Sequence, residues 1–316
     1  MLCQKFDKQV IFYSFLLADV HFIAEKESLN THFSGYLHKK EKKSWYAACI
    51  VKTVQQIILM EMAMKIIQDY IDSKQQEFMN HPFFEILEQL NSLQELSYFV
   101  PELTFWAMTF QDILRINEER VNDPYLRKVA RHHRLEDAGH EKWFLHDKKY
   151  MEAVNIDPTN DTNDVSWLYS KETQLTRDAA YAILAEVYKS NDEILNIVLL
   201  LTIESSGHVF FEKVSKQVKQ TGEDKNLKYF SSSHLEVEMA HALFEEEMER
   251  SLFARTVPIQ TRREALKMID RCYDAFNKMF DGLIIACNRR LELAKQRNHQ
   301  DAANKEPVEL ISHKAV

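Results

Sequence analysis

Glycine and proline are scarce in this chain, and their scarcity constrains its fold more than any other feature of the sequence. The 316 residues include only five glycines and six prolines. Because these two residues mark most turns, the chain can form few tight turns, and the elements between them must be long. Both residues also disfavour helices, so their near absence leaves helix propensity high. We therefore expect an all-α protein.

Apolar residues at three- and four-residue spacing predict where the first helices lie. An amphipathic pattern runs from Lys42 to about Phe78. Pro82 follows it at a favourable first helical position, and Pro101 starts or kinks the next helix. The apolar residues between the two prolines continue the helical pattern. The first third of the chain is thus expected to be helical with two proline-marked boundaries.

The second half of the chain continues the same pattern. Asp123 is expected to be the N-cap of a helix and Pro124 its first residue, and this helix is expected to reach about Val154. Residues 156–164 (IDPTNDTND) predict a loop. Further helices are expected over 165–190, 192–220, 226–255 and 259–297.

These elements predict one all-α bundle of seven to nine helices. Three segments divide the chain: residues 1–79 form an N-terminal helical extension with no assigned role, residues 80–297 form the main helical domain, and residues 298–316 form a polar tail. The tail is expected to be loose because it carries little apolar surface to bury.

Charge and cysteine content limit the partners and the compartment. A net charge of -8 and a pI near 5.9 argue against nucleic acid as a partner. Four cysteines without CxxC spacing indicate reduced thiols rather than a disulfide framework. The apolar run VIFYSFLLADVHF is interrupted by Asp19 and lacks a cleavage site, and no apolar run reaches the roughly 20 residues of a membrane span. We expect a cytoplasmic protein without a membrane span.

One polar stripe stands out in the segment SSSHLEVEMAH. His234, Glu238 and His241 stand at positions i, i+4 and i+7. On an α-helix these positions fall within roughly 60° of one another around the axis. The stripe therefore either faces water as an ordinary solvated face or holds a ligand.

Two further segments carry residues of the same kind. In RHHRLEDAGHEKWFLHD, His133, Glu136 and His140 stand at i, i+3 and i+7, and Asp137 would pair with His133 at i+4. Glu204 lies inside the apolar run IVLLLTIE, where an unpaired buried carboxylate would cost several kcal/mol. Such a carboxylate needs a partner, which can be an arginine, a lysine, a cluster of serines or a metal ion.

Histidines and carboxylates from three helices together suit iron or manganese. Helix bundles build dinuclear carboxylate sites from inward-facing Glu and His at helical spacing. Each stripe alone is more often a solvated face, and Glu204 alone could be satisfied by a basic side chain. The coincidence of three such segments in three long helices favours a metal site.

The three segments resemble the metal helices of the heme-oxygenase-like diiron oxidases and oxygenases. HHRLEDAGHEKWFLHD is similar to the first metal helix of that family, IESSGH to the second and SSSHLEVEMAH to the third. The resemblance covers roughly residues 80–285. It implies a heme-oxygenase-like bundle of about seven core helices, here with an N-terminal helical addition.

The resemblance also implies a cofactor and its ligands. The cofactor is two iron ions that cycle between Fe2+ and Fe3+, with manganese as an alternative. No catalytic residue is implied beyond the metal ligands. The implied ligands are Glu136, His140, Glu204, His234, Glu238, His241 and His133.

The activity that this resemblance implies is a non-heme diiron oxidase or oxygenase. It would use O2 to oxidise a small organic substrate similar to an amino acid or a fatty acid. An electron donor is a further partner that such chemistry allows, and the sequence is compatible with a homodimer.

Two alternative functions stay open. One is a thiaminase-like enzyme on the same fold, which needs a nucleophilic cysteine. The other is a non-catalytic helical interaction or effector protein, whose polar stripes would face solvent.

Overall fold

A computed structural model of the protein describes the backbone of residues 63–154, 165–241 and 251–303. Within these ranges every regular element is a helix and no strand occurs, which confirms the all-α prediction. Most of the helix predicted from Lys42 to Phe78 lies outside the described residues, as do the predicted loop over 156–164 and the last thirteen residues.

Ten α-helices and one short 3-10 helix make up the described part of the chain. In chain order they are α1 (Ala63–Phe78), α2 (Pro82–Leu87), α3 (Leu93–Leu96), α4 (Val100–Arg120), α5 (Pro124–Glu136), α6 (His140–Val154), the 3-10 helix Val165–Tyr169, α7 (Gln174–Lys189), α8 (Glu193–Thr221), α9 (Ser232–His241) and α10 (Ile259–Ala303).

The predicted helix starts at Pro82, Pro101 and Pro124 are confirmed. Pro82 and Pro124 each open a helix, and Pro101 is the second residue of α4. Asp123 caps α5, since its carboxylate accepts hydrogen bonds from the backbone N–H groups of the second and third helical residues. Proline is tolerated at these positions because the first N–H groups of a helix have no partner within the helix.

The helix predicted from Pro124 to Val154 is wrong as a single element. The structure divides it into α5 and α6 at the segment Asp137–Gly139. Gly139 has a φ of 103°, a conformation that glycine adopts readily and that a continuous α-helix does not contain. His133 and His140 therefore lie on different helices, and their i, i+7 spacing does not place them on one helix face.

The helix predicted over 226–255 begins later than expected, at Ser232. The backbone N–H groups of Lys228, Tyr229 and Phe230 donate hydrogen bonds to the carboxylate of Asp147. These three groups are therefore engaged outside any helix, and α9 starts only after them.

The compact unit that contains the core begins at Met64, so α1 belongs to it from that residue on. The predicted boundary at residue 79 stays a prediction. Side chains of α1 contact α8 and α10. The Tyr70 hydroxyl donates to Asp270 over 2.7 Å, and the Gln75 side chain donates to the Ser205 carbonyl over 2.8 Å. The Phe78 ring lies edge-on to the rings of Tyr273 and Phe280. At the other end, α10 continues to Ala303, past the predicted boundary at residue 297.

Helix α8 runs through the core and packs against α5, α9 and α10. Aromatic rings from α1, α2, α8 and α10 meet beside it in edge-to-face contacts that fill the interior, a favourable arrangement for ring quadrupoles.

By length and composition α8 is also apolar enough to cross a membrane. However, 67% of its most apolar stretch is buried in the protein, as in the core helices of many soluble proteins.

One buried ion pair joins α7 to α10. The two carboxylate oxygens of Glu186 accept hydrogen bonds from the Arg271 guanidinium over 3.0 and 2.6 Å. Burial alone would raise the pKa of the Glu186 carboxyl, but Arg271 and Lys189 outweigh it and hold that pKa below its usual value. Arg271 also donates to Glu264, which is largely exposed.

We expect Glu186→Gln to lower the free energy of unfolding by about 1–2 kcal/mol at pH 7. This loss is smaller than that for a fully buried ion pair, because the arginine partner of Glu186 still contacts water. A carboxyl with a depressed folded pKa stabilises the protein above its unfolded pKa, near 4.3, and this stabilisation is lost as the pH falls through the folded pKa. Urea unfolding of the variant and the parent chain between pH 3 and 7 measures the difference, which should shrink below about pH 4.

Glu264→Gln is the matched control, since it removes a carboxylate from the same arginine at the surface. Its cost should stay below about 0.5 kcal/mol. Equal losses from the two variants, or a pH-independent loss from Glu186→Gln, would contradict the assignment.

Candidate metal centre

Four helices and one turn bring imidazoles and carboxylates to a single place in the bundle. His133 lies in the last turn of α5, Asp137 in the turn after it, and His140 at the first position of α6. Glu204 comes from the middle of α8 and His234 from the first turn of α9. The turn at Gly139 brings His133 and His140 to the same site although they belong to different helices.

The ligand atoms of His133, Asp137 and Glu204 converge. His133 Nε2 lies 3.2 Å from Glu204 Oε1 and 3.3 Å from Asp137 Oδ2. All three ligand atoms lie within 4.8 Å of one another. His133 Nε2 is buried, and neither oxygen meets the angular requirement of a hydrogen bond to it. Three ligand atoms this close together could hold a metal ion.

Asp137 connects this group to a second pair of imidazoles. Its Oδ2 faces His133, while its Oδ1 lies 3.1 Å from His140 Nδ1. The residue is 4% exposed, and its carbonyl oxygen accepts a hydrogen bond from the Gln111 side chain over 2.6 Å. The two oxygens of one buried carboxylate therefore face two different histidines.

His140 and His234 form the other half of the cluster. His140 Nδ1 and His234 Nε2 are 3.3 Å apart, and both residues are buried, His234 to 1% exposure. His234 Nδ1 lies 2.6 Å from the Tyr229 carbonyl oxygen. A carbonyl oxygen only accepts, so His234 carries its proton on Nδ1 and turns the lone pair of Nε2 toward His140. The Trp143 indole stacks on the His140 ring at 4.7 Å.

Asp147, which the sequence did not indicate as a site residue, fixes the segment that carries Tyr229. Its carboxylate is fully buried and accepts hydrogen bonds from three successive backbone N–H groups, those of Lys228, Tyr229 and Phe230, over 2.7–3.0 Å. The Tyr229 carbonyl then faces His234. Asp147 therefore positions His234 through the backbone, two contacts away from the cluster.

Glu136 does not join the cluster, contrary to the expectation from the resemblance. Its carboxylate lies 3.1 Å from His132 Nε2, on a partly exposed side of α5. The reason is helical geometry: positions 132 and 136 share one face of the helix, whereas His133 and Asp137 share the next one. The carboxylate that the first segment supplies is Asp137, and the expected pairing of Asp137 with His133 is confirmed.

The other expected ligands have separate outcomes. The structure brings His133, His140, Glu204 and His234 together, so these four do not form a solvated face. The backbone of Glu238 and His241 lies on α9, but their side chains are outside the described part of the structure, and both stay predictions. Glu204 is less buried than its apolar neighbours suggested, with 32% of its side chain exposed.

Glu204 is exposed because it lines a cavity. The cavity has a volume of about 70 Å³ and is partly open to solvent, and Asp137, His140 and Glu204 form part of its wall. Most of the remaining wall is apolar or aromatic, and it includes Trp106, Phe110, Phe210, Phe211, Phe276 and Phe280.

Comparison with known proteins adds no family to this geometry. No protein-family model matches the chain, and no curated protein is significantly similar to it. The functional argument therefore depends on the side chains of the cluster and on the cavity beside them.

Proposed function

We propose that the chain is a non-heme diiron oxidase or oxygenase that uses O2 to oxidise a small organic substrate. The observation that carries the proposal is the buried carboxylate of Asp137, whose two oxygens face imidazoles on opposite sides. A carboxylate in this position can bridge two metal ions, and bundles of helices hold dinuclear sites with such residues.

The first ion would be held by His133, Glu204 and Asp137 Oδ2, whose ligand atoms lie within 4.8 Å of one another. A second ion would be held by His140, His234 and Asp137 Oδ1. Nitrogen and carboxylate oxygen ligands suit iron and also manganese. The buried Nε2 of His133 supports the assignment, because it lies near two carboxylate oxygens without making a hydrogen bond to either. Glu238 and His241 are proposed as further ligands on the resemblance alone.

Iron bound at this site would supply the redox chemistry with O2, and the protein's own residues prepare the site for it. The Tyr229 carbonyl accepts the proton on His234 Nδ1, so that in the neutral ring Nε2 carries the lone pair that a metal ligand needs. The aromatic wall of the cavity would hold an apolar substrate beside Glu204. No described lysine or arginine lines the cavity, so the proposed metal charge would be balanced by Asp137 and Glu204.

The two alternatives receive less support. Burial of His133, His140 and His234 does not fit an interaction protein whose polar stripes face solvent. A thiaminase-like enzyme needs a thiolate in the cavity, but neither of the described cysteines, Cys272 and Cys287, lines it. Burial also raises the pKa of the Cys287 thiol to about 12, which disfavours a nucleophile. Both cysteines are free, which supports the proposed cytoplasmic location.

We expect the full chain to bind two Fe2+ ions, and Asp137→Asn to weaken the binding of both. The amide keeps the shape of the side chain but loses the charge and one of the two ligand oxygens. Anaerobic titration with Fe2+, followed by gel filtration and elemental analysis, measures the stoichiometry. Co2+ in place of Fe2+ gives absorption bands that report the ligands. The loss of affinity should be at least about tenfold.

Glu136→Gln is the matched control, because it makes the same chemical change one residue away, on the helix face that meets His132. It should leave both ions bound within about twofold of the parent affinity. If the chain retains no metal, or if Glu136→Gln weakens binding as much as Asp137→Asn, the proposed centre is wrong.

We expect Asp147→Asn to weaken the ion held by His140 and His234 by about ten- to a hundredfold, the usual effect of losing a residue that orients a metal-bound histidine. The amide nitrogen cannot accept the backbone N–H bonds, so the segment that presents the Tyr229 carbonyl should loosen. Metal titration should show the first ion bound almost normally and the second bound weakly.

The same substitution should also lower the free energy of unfolding by about 2 kcal/mol, because the carboxylate accepts several charge-assisted hydrogen bonds. Glu186→Gln separates the two effects, since it destabilises the chain by a similar amount away from the cluster. It should bind both ions normally. Equal metal binding by Asp147→Asn and Glu186→Gln would show that Asp147 acts on stability alone.

A further inference from the structure

Three of the four glycines in the described part of the chain have a clear structural reason. Gly139 and Gly222 have positive φ angles of 103° and 80°, which residues other than glycine rarely adopt. Gly282 lies where α10 approaches α7, and a Cβ there would lie 3.2 Å from the Cβ of Leu175. In each case the backbone or a neighbouring helix excludes a larger residue.

Gly207, the fourth described glycine, has no such reason. It lies in the middle of α8 with helical backbone geometry, where glycine destabilises a helix relative to alanine. Among the described residues, a Cβ at this position would meet only Phe211 Cε2, at 4.0 Å, which is ordinary van der Waals contact. Neither the backbone conformation nor the packing of the described residues requires glycine here.

The space that Gly207 leaves open belongs to the cavity. Gly207 lines the cavity together with Glu204, which is one helical turn earlier on α8. A side chain at position 207 would therefore project into the space beside the proposed metal centre. The absent side chain enlarges the cavity at the point where a substrate would approach Glu204.

The chemistry of the wall indicates what could fill this space. The described residues of the wall that can carry charge are Asp137, His140, Glu204 and Tyr229, and no lysine or arginine is among them. The Ser206 hydroxyl donates to the Ile203 carbonyl over 2.8 Å. The described wall thus offers no lysine or arginine for the carboxylate of an amino acid, whereas its aromatic rings suit hydrocarbon.

We propose that Gly207 determines substrate specificity by admitting an uncharged apolar group, a hydrocarbon chain or ring, along α8 to the proposed metal centre. The inference rests on the proposed function and narrows its substrate class from amino-acid-like or fatty-acid-like molecules to those with an apolar, uncharged portion in the cavity. Any polar group of such a substrate would lie at the end of the cavity formed by Asp137, His140 and Glu204.

The test measures ligand binding by the full chain, both metal-free and loaded with Co2+. The probe is N-phenyl-1-naphthylamine, an uncharged aromatic molecule whose fluorescence rises in apolar sites. Gly207→Leu fills the cavity beside Glu204. Ala182→Leu is the matched control, because it adds a leucine side chain at an exposed position of α7 outside the cavity wall. 1-Decanol and L-leucine are compared as competitors.

Gly207→Leu should weaken probe binding at least tenfold while Co2+ binding stays intact, and Ala182→Leu should change neither. 1-Decanol should displace the probe, and L-leucine should not. If the leucine variant fails to fold, Gly207→Ala takes its place in the test. Alanine has the higher helix propensity, so this variant should raise Tm by about 2 °C, and it should still weaken probe binding about threefold.

The inference is overturned if Gly207→Leu, or Gly207→Ala in its place, binds the probe as tightly as the parent chain does. It is equally overturned if the parent chain does not bind the probe, or if L-leucine competes as well as 1-decanol. These outcomes are independent of the proposed function, which fails instead if the parent chain binds no metal. If the parent chain binds no metal but its probe binding still depends on position 207, the cavity is an apolar ligand site and the protein is not a diiron oxidase.

Discussion

The carboxylate of Asp137 is the group on which the arrangement of the site depends. It lies in the turn between α5 and α6, where Gly139 reverses the local backbone, and its two oxygens face His133 and His140. A continuous helix would place those histidines almost two turns apart and would fix their directions by helical spacing alone. The turn lets two helices contribute to one cluster, and a buried carboxylate that serves both imidazoles avoids the cost of an unpaired charge.

Around this carboxylate, the second half of the cluster is held by contacts far apart in the sequence. Asp147 and Lys228 are 81 residues apart, yet the Asp147 carboxylate accepts the N–H groups that shape the segment before α9. That segment presents the Tyr229 carbonyl to His234 and thereby selects the proton position of its ring. The aromatic rings of Trp143 and Phe211 pack on the same imidazoles and restrict their rotation. These contacts support the orientation of both imidazoles, as a binding site requires.

The sequence predicted the all-α class and four members of the cluster because these depend on local signals. The scarcity of glycine and proline indicated long helices, and histidines at helical spacing together with a carboxylate in an apolar run indicated His133, His140, Glu204 and His234. Glu136 was expected as a ligand from the family resemblance, whereas the helix face that carries His133 presents Asp137 to the cluster. The role of Asp147 could not be predicted, since its partners are backbone groups brought near only by the tertiary fold. Gly207 was also overlooked, because a glycine without a structural role is recognised only once its surroundings are known.

The cluster and the cavity together describe a site with side chains that could hold metal on one side and an apolar wall on the other. The central proposal is that Asp137 would hold two ions, and a crystal structure of the full chain grown with Fe2+ under anaerobic conditions tests it most directly. Anomalous difference density at the iron edge should show two peaks, one bonded to His133, Glu204 and Asp137 and the other bonded to His140, His234 and Asp137. A single peak away from Asp137, or no peak in the cluster at saturating Fe2+, would contradict the account.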